Sequence, residues 1–472
     1  MSTYLNKTKP VLKELLTKLL AKYEYASIFA TDCNGKRYTV NRNGVNLNDN
    51  FFKERGVVVR VYADETYTEY AFNNIDKDNL DEIVANIDNT VMTAKKLNDT
   101  DSLIKQKLIN EEAISFSKTE DIKVDPAEVG PKYILSKLTE LKDKALSLNE
   151  KIIEFQAIYN YLNVNKLFLS PKKDLEQSFT WSESYLFGVS SDGTNVRQIH
   201  KSYSGLKGAE LIDEMFTDVP NVVDTAVALL NAEKIAPGEY DVICSPDITG
   251  LIAHEAFGHG VEMDMAVKDR AKSPEFIGKY VASPIVNMVD SAIDCVTHDD
   301  GSYYFDDEGN LATVTTIIEN GILKSGINDE LTAIAFNTKT TGNGRREAYD
   351  HKAYTRMTNT YIKPGADKLE DMFASIKDGV YLESYSSGME DPKNWGIQCM
   401  ICVGREIKDG KLTDKIYSPI LMTGYVPDLL KSISMIADDF DTSGSGACGK
   451  GYKELVKVSS GGPHIKCKAR LG

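Results

Sequence analysis

Apolar side chains change their spacing several times along the chain. In the opening stretch, MSTYLNKTKPVLKELLTKLLAKYEYASIF, Val11, Leu12, Leu15, Leu16, Leu19 and Leu20 recur at three- and four-residue intervals, with lysines on the other face. This pattern predicts an amphipathic helix. The period then shortens. YASIFATD, KRYTVNR, GVVVRVYA and TYTEYAF read as strands, punctuated by Asn34-Gly35, Asn43-Gly44 and Asp64-Glu65. Asn-Gly between such runs signals a hairpin turn. KDNLDEIVANIDNTVMTAKKL returns to a helical period. Residues 100–130 are polar and weakly periodic and read as a connection, and PKYILSKLTELKDKALSLN predicts a second long helix. KIIEFQAIYNYLNVNKLFLS and SFTWSESYLFGVSSDG predict two long paired strands, and NVVDTAVALLNAEK a further helix. Pro237-Gly238 follows, and the rest is mostly strands and turns with short helices. The expectation is an α+β protein: an N-terminal mixed helix and antiparallel-sheet domain over 1–235, then a β-rich C-terminal domain over 236–472.

Composition narrows the function classes. The 472 residues suffice for two or three domains and a large core. With 42% hydrophobic and 26% charged residues the chain falls in the globular range. The net charge of -15 argues against general nucleic-acid binding, because a polyanion is repelled. No apolar run is long enough to span a bilayer, and the opening helix is no signal peptide. The seven cysteines are scattered and odd in number, which argues against a disulfide framework and fits a reducing cytoplasm.

The densest chemistry lies in YDVICSPDITGLIAHEAFGHGVEMD. YDVIC reads as a buried strand. Ser245 suits an N-cap and Pro246 the first helical position, which places His254 and Glu255 about two turns into a helix. His254 and His259 are five residues apart. At about 100° per residue, side chains four apart diverge by about 40° and can share a metal; five apart diverge by about 140° and cannot. Two remedies exist: a π-bulge, which inserts a residue into the turn, or a loosening at Gly258. Neutral imidazoles hold Zn²⁺ well and leave a place for water, whose pKa the metal lowers. Glu255 beside His254 suits the general base. Spacing alone leaves open an ordinary helix with two unrelated histidines.

The sequence resembles the TldD/PmbA family, formerly called modulators of DNA gyrase and peptide-maturation proteases. The likeness is to its metal-bearing TldD branch, with its H-E-x-x-x-H pattern. It is carried by LIAHEAFGHGVEMD, SYYFDDEGN, GRREAYDHKAYTRMTNTY, KDGKLTDKIYSPILMTGYVPDLLKSISMIADDF and GSGACGKG. The resemblance implies a zinc peptidase with His254, His259 and Cys448 as ligands and Glu255 as base. It further implies an enclosed site in a dimer, either with itself or with a PmbA/TldE-type partner, and unfolded peptides as substrates. Met263 stands where other members often have a small residue, which bears on local pocket shape. Glu262 competes with Cys448 for the third ligand position.

Other candidates carry less. Cys399 and Cys402 have the spacing of half a zinc site, but on a strand residues three apart point to opposite faces. Gly444–Gly451 satisfies G-x-x-x-x-G-K but lacks the following hydroxyl residue of a phosphate loop. Its glycines better suit a tight loop bringing Cys448 into a crowded site. Arg345 and Arg346 could hold a peptide carboxylate or form structural ion pairs. Asp306, Asp307 and Glu308 read as a solvated turn. His298 and His351 are isolated, and His464 lies within a few residues of the Cys448 segment. The expected function is a cytoplasmic zinc peptidase for short or unfolded peptides. The rival is a non-enzymatic regulator that binds partner proteins and carries a structural metal.

Overall fold

The computed structural model describes residues 1–98, 105–293, 299–450 and 453–472; His298 lies outside the described residues. One long sheet organises the first part of the chain. Its strands run in the order Thr66–Phe72, Gly44–Ala63, Tyr25–Asn41, Ile152–Leu169, Lys173–Ser191, with Ile114–Thr119 and Val196–Gly205 sharing the far edge of Lys173–Ser191. All pairings are antiparallel except that of Ile114–Thr119.

The pleat sorts side chains to two faces. On Ile152–Leu169, Phe155, Ala157, Tyr159 and Tyr161 pack with the helices Pro126–Leu148 and Leu211–Ala228, while Leu167 and Leu169 pack with Thr3–Leu20 and Leu80–Asn98. These odd-numbered positions share a face, so all four helices cover one side of the sheet. On the other side, Leu162 and Val164 meet Ala292, Tyr303 and Ala312, and Phe168 meets Phe305. The second part of the chain covers that face.

The second part is strand-rich. Asp378–Asp391, Gly238–Cys244, Ile465–Leu471, Ile420–Tyr425 and Gly396–Lys408 pair in that order, and the last pairs back with the first, closing a ring of five. A six-stranded sheet lies beside it, ordered Ile322–Leu323, Val314–Glu319, Met288–Ser291, Asn359–Ile362, Lys453–Gly462, Asp441–Lys450. The helix Pro246–Ala253 leaves the ring strand Gly238–Cys244, and its buried Ile248, Leu251 and Ile252 join the core the ring and the sheet share. The mixed architecture agrees with the expected α+β class.

Several local expectations change. Asp64 and Glu65 do form a hairpin turn, both with positive φ (50° and 59°), as a type I′ hairpin loop requires. Asn34-Gly35 does not turn. The strand Tyr25–Asn41 runs through it with an irregular register, paired on both sides at Gly35 with Phe51 and Leu162. Pairing to two neighbours overrides the local turn preference. The stretch 100–130 is more than a connection: Ile114–Thr119 is a strand and the helix starts at Pro126, capped by the Asp125 carboxylate. Val196–Gly205 is an additional strand, reached through a turn in which Asp192 Oδ1 accepts from the Thr194 and Asn195 amides. No described helix is long and apolar enough to cross a membrane.

Candidate metal centre

The helix after Ser245 begins at Pro246, as the sequence suggests, but the Ser245 hydroxyl bonds the Asp247 carboxylate rather than capping the helix. Regular α-helix ends at Ala253. Over His254–Gly258 the backbone widens into a π-turn: the His259 amide donates to the His254 carbonyl, five residues back, and Phe257 departs to φ -115°, ψ 16°. Of the two remedies, the chain uses the inserted residue. Gly258 matters through close approach: a Cβ there would lie 2.2 Å from Met357 Sδ. The π-turn swings His259 round to His254, with ring centroids 4.9 Å apart and planes at 84°.

Cys448 arrives from elsewhere. It sits on the strand Asp441–Lys450, paired with Val456 of Lys453–Gly462, rather than on the tight glycine loop expected. The pairing fixes its height along the sheet. Its Sγ is 3.2 Å from His259 Nε2. One ligand atom from each of His254, His259 and Cys448 lies within 4.8 Å of the others, and this is the one such group of three among the described residues. Zinc accepts thiolate and imidazole readily, so the donor set fits that ion. Burial pushes the Cys448 thiol up to about 12, with Arg356 opposing the shift and Glu262 and Glu255 adding to it. A cation must therefore displace a proton to engage the sulfur.

Glu262 takes a different place from the one weighed for it. Its Oε2 is 3.1 Å from His259 Nδ1, the ring nitrogen facing away from Cys448, and its Oε1 is 3.1 Å from Arg356 Nε. A carboxylate at Nδ1 holds the proton there and leaves the Nε2 lone pair for a ligand. Arg356 also donates from Nη2 to the Cys448 carbonyl, at 2.7 Å. Glu255 is 7% exposed and lies against Gly388. Both histidines, Glu255 and Cys448 line a cavity of about 690 Å³, whose wall includes Tyr385 and Met389.

The remaining candidates lie apart from this group. Arg345 donates to the Met357 carbonyl and stacks over Tyr303; Arg346 bonds Glu69 and the His351 carbonyl. Both have structural partners. His464 pairs with Asp439 and Tyr381, and His351 faces Glu347 and Asp350. The FDDEGN run is no solvated turn. Asp306, Asp307 and Glu308 are buried, because Lys166 and Arg60 reach across from the long sheet to neutralise Asp307 and Glu308, and backbone amides satisfy Asp306. Cys399 and Cys402 diverge, the first into the core around Pro246–Ala253, the second towards the helices on the long sheet. Lys453 pairs with Lys450 across the hairpin that follows Cys448, and Gly451 lies outside the described residues.

Residues 237–469 match the PmbA/TldA metallopeptidase C-terminal domain. A metalloprotease of Methanothermobacter thermautotrophicus is 30% identical over 322 residues, covering 67% of this chain and 69% of its own. The chain belongs to the PmbA/TldD metallopeptidase family. A relative from Saccharolobus solfataricus, called a zinc metalloprotease TldD homolog, is 36% identical over 232 residues, which span 49% of this chain and 51% of that one. The solved structure of TldE from Thermococcus kodakarensis shares the fold over 98% of this chain and 99% of its own, with a TM-score of 0.74 at 17% identity. In this family member, Arg356 escaped the reading of the sequence. It lies in GRREAYDHKAYTRMTNTY beside Arg345 and Arg346, and nothing in residue type or spacing separates the three.

Proposed function

We propose that the chain is a zinc-dependent peptidase acting on short or unfolded peptides, with His254, His259 and Cys448 as metal ligands and Glu255 as general base. The observation that carries this reading is the convergence of the three ligand atoms on the wall of a cavity that Glu255 also lines. When bound, zinc would polarise the scissile carbonyl and acidify a water. The chain's own residues do the rest. Glu262 keeps the His259 proton on Nδ1. Glu255, lying against Gly388, accepts the proton from the attacking water and passes it to the departing amine. The 690 Å³ cavity has room for a few residues of extended chain but not for a packed domain. Residues 236–472 would form the peptidase domain and 1–235 a separate α+β domain. Assembly as a cytoplasmic dimer, with itself or with a TldE-type chain, belongs to the same proposal.

A regulator with a purely structural metal would need a closed set of ligands and no base beside them. Three protein donors on a cavity wall, next to Glu255, favour the enzyme. Elemental analysis of the purified protein, with its mass in solution, tests the metal and the assembly. Zinc should be present at about one per chain and be lost from His254→Ala and Cys448→Ala. A casein-like unfolded chain should be cut while a folded domain under the same conditions is spared. Equal cleavage of both would reject the substrate class.

A further inference from the structure

Glu262 and Arg356 form a deeply buried ion pair beside the candidate site, with side chains 0% and 1% exposed. A buried ion pair is a poor device for stability alone, since well-packed apolar residues of similar volume do as well or better. Its orientation offers another reason. Glu262 turns one oxygen to His259 Nδ1 and the other to Arg356 Nε, and the same guanidinium spends Nη2 on the carbonyl of Cys448. His259 and Cys448 are 189 positions apart in sequence, and Arg356 links them, through Glu262 to the first and directly to the backbone of the second.

We infer that Arg356 is a positioning residue for the metal ligands: acting through Glu262 on His259 and directly on the Cys448 backbone, it sets the distance between the imidazole and the thiol. This rests on the ligand assignment proposed above. The clasp is itself anchored. The Arg356 amide donates to the Asn343 carbonyl, its own carbonyl accepts from Asn343 Nδ2, and the next residue, Met357, packs against Gly258 of the π-turn. The element that widens the helix and the element that fixes the sulfur therefore meet at Arg356. A guanidinium presents Nε and Nη2 as a rigid planar fork. A lysine keeps the charge, but its single ammonium lacks that fixed fork for a carboxylate and a carbonyl.

Arg356→Lys and Glu262→Gln test the clasp without touching a proposed ligand. Zinc affinity is measured by competition with a chromophoric chelator, and the thiolate-to-metal band of the Co²⁺-loaded protein is recorded. Thermal unfolding of the metal-free protein reports the fold. Each variant should bind zinc about 10–100-fold more weakly, as loss of an outer partner of a ligand does, and the cobalt band should shift. The double variant should lose less than the product of the two, because both cut the same link. A purely structural pair would lower the unfolding temperature and leave affinity and spectrum alone; that result overturns the inference. If Arg356→Lys does not fold, the isosteric Glu262→Gln decides. Failure of both to fold also overturns it, since the pair would then be a requirement of folding rather than of the ligands. Failure of the ligand assignment looks different: His254→Ala and Cys448→Ala would then hold zinc as tightly as the unaltered chain.

Discussion

Two clusters of ionisable side chains, the one around Cys448 and the one around Arg60, are built from opposite materials. Around His254, His259 and Cys448 the converging atoms are two imidazole nitrogens and a sulfur. Around Arg60 they are alternating cations and carboxylates: Arg60 contacts Glu69, Glu308 and Glu330, Arg346 doubles on Glu69, and Lys166 holds Asp307. The first cluster opens on a cavity; the second joins the long sheet to the part of the chain that covers it. Burial and charge alone do not distinguish a site from a joint. What distinguishes them is whether the donors face one another across a gap that a cation could fill, or already face protein cations. Glu308 and Glu330 illustrate the second case. Their carboxyls are raised by burial, and Arg60 opposes the shift in both.

The sharpest way to break this contrast is Glu255→Gln. If the first cluster is catalytic, the variant keeps its zinc and its fold but loses about 10²–10⁴-fold in peptide turnover. Zinc is read by elemental analysis and turnover on an unfolded substrate. Full turnover with glutamine in place would remove Glu255 from its proposed role.

Arg60→Met attacks the other cluster. It leaves Glu308, Glu330 and part of Glu69 without their cation, and breaking a buried pair by removing one partner costs about 3–5 kcal/mol. Denaturant unfolding should show this loss, while zinc content per folded chain stays unchanged. A variant as stable as the parent would mean that the Arg60 network contributes nothing net to the joint.

Much of this contrast was legible in the sequence, but only on one side. H-E-x-x-x-H, the punctuation at Ser245-Pro246 and the five-residue spacing pointed to a distorted helix end, and the chain forms a π-turn over His254–Gly258. The long helices and the pair Ile152–Leu169 and Lys173–Ser191 were readable because each holds one period over many residues. Ile114–Thr119 was not, because its partner lies more than fifty positions away and its own alternation is weak. The Arg60 network was invisible for the same reason. Asp306, Asp307 and Glu308 look like a polar turn until Arg60 and Lys166 are brought against them by the packing of the two parts. Glu262 and Arg356 show the limit most clearly: the sequence put Glu262 near the proposed ligands but could not say that it would face the far side of His259.

Gly388→Ala probes how much room the first cluster has. An added Cβ would lie 2.6 Å from both Cγ and Oε1 of Glu255 and 2.8 Å from Leu251 Cδ1. The flexible carboxylate is the part able to yield, so the proposed base should shift while the proposed ligands stay. Misplacement of a catalytic group by about 1 Å can cost up to about 10²-fold. Turnover should fall within that range with zinc affinity unchanged. A variant with parental turnover would show that Glu255 need not stay where it lies.

The smallest expected effect separates the clusters by pH. Burial alone would raise the Glu69 carboxyl, but Arg60 and Arg346 outweigh it and hold the group down at about 2. A carboxylate whose folded pKa lies below its unfolded value near 4.5 stabilises the fold above that value, and the contribution is lost as pH falls from about 4.5 towards 2. Glu69 is a quarter exposed, so solvent screening reduces the effect, to the order of 2 kcal/mol. Glu69→Gln removes the titrating group. Its stability should therefore be lower than the parent's at pH 6 and approach it at pH 2.5, where the parent has lost most of the same contribution. Urea unfolding of the metal-free chains at a series of pH values reads the difference, and metal-free protein keeps the ligand cluster out of the measurement. A constant gap between variant and parent across that range would mean that the Glu69 charge does not contribute through its arginines, and that the joint is held by packing instead.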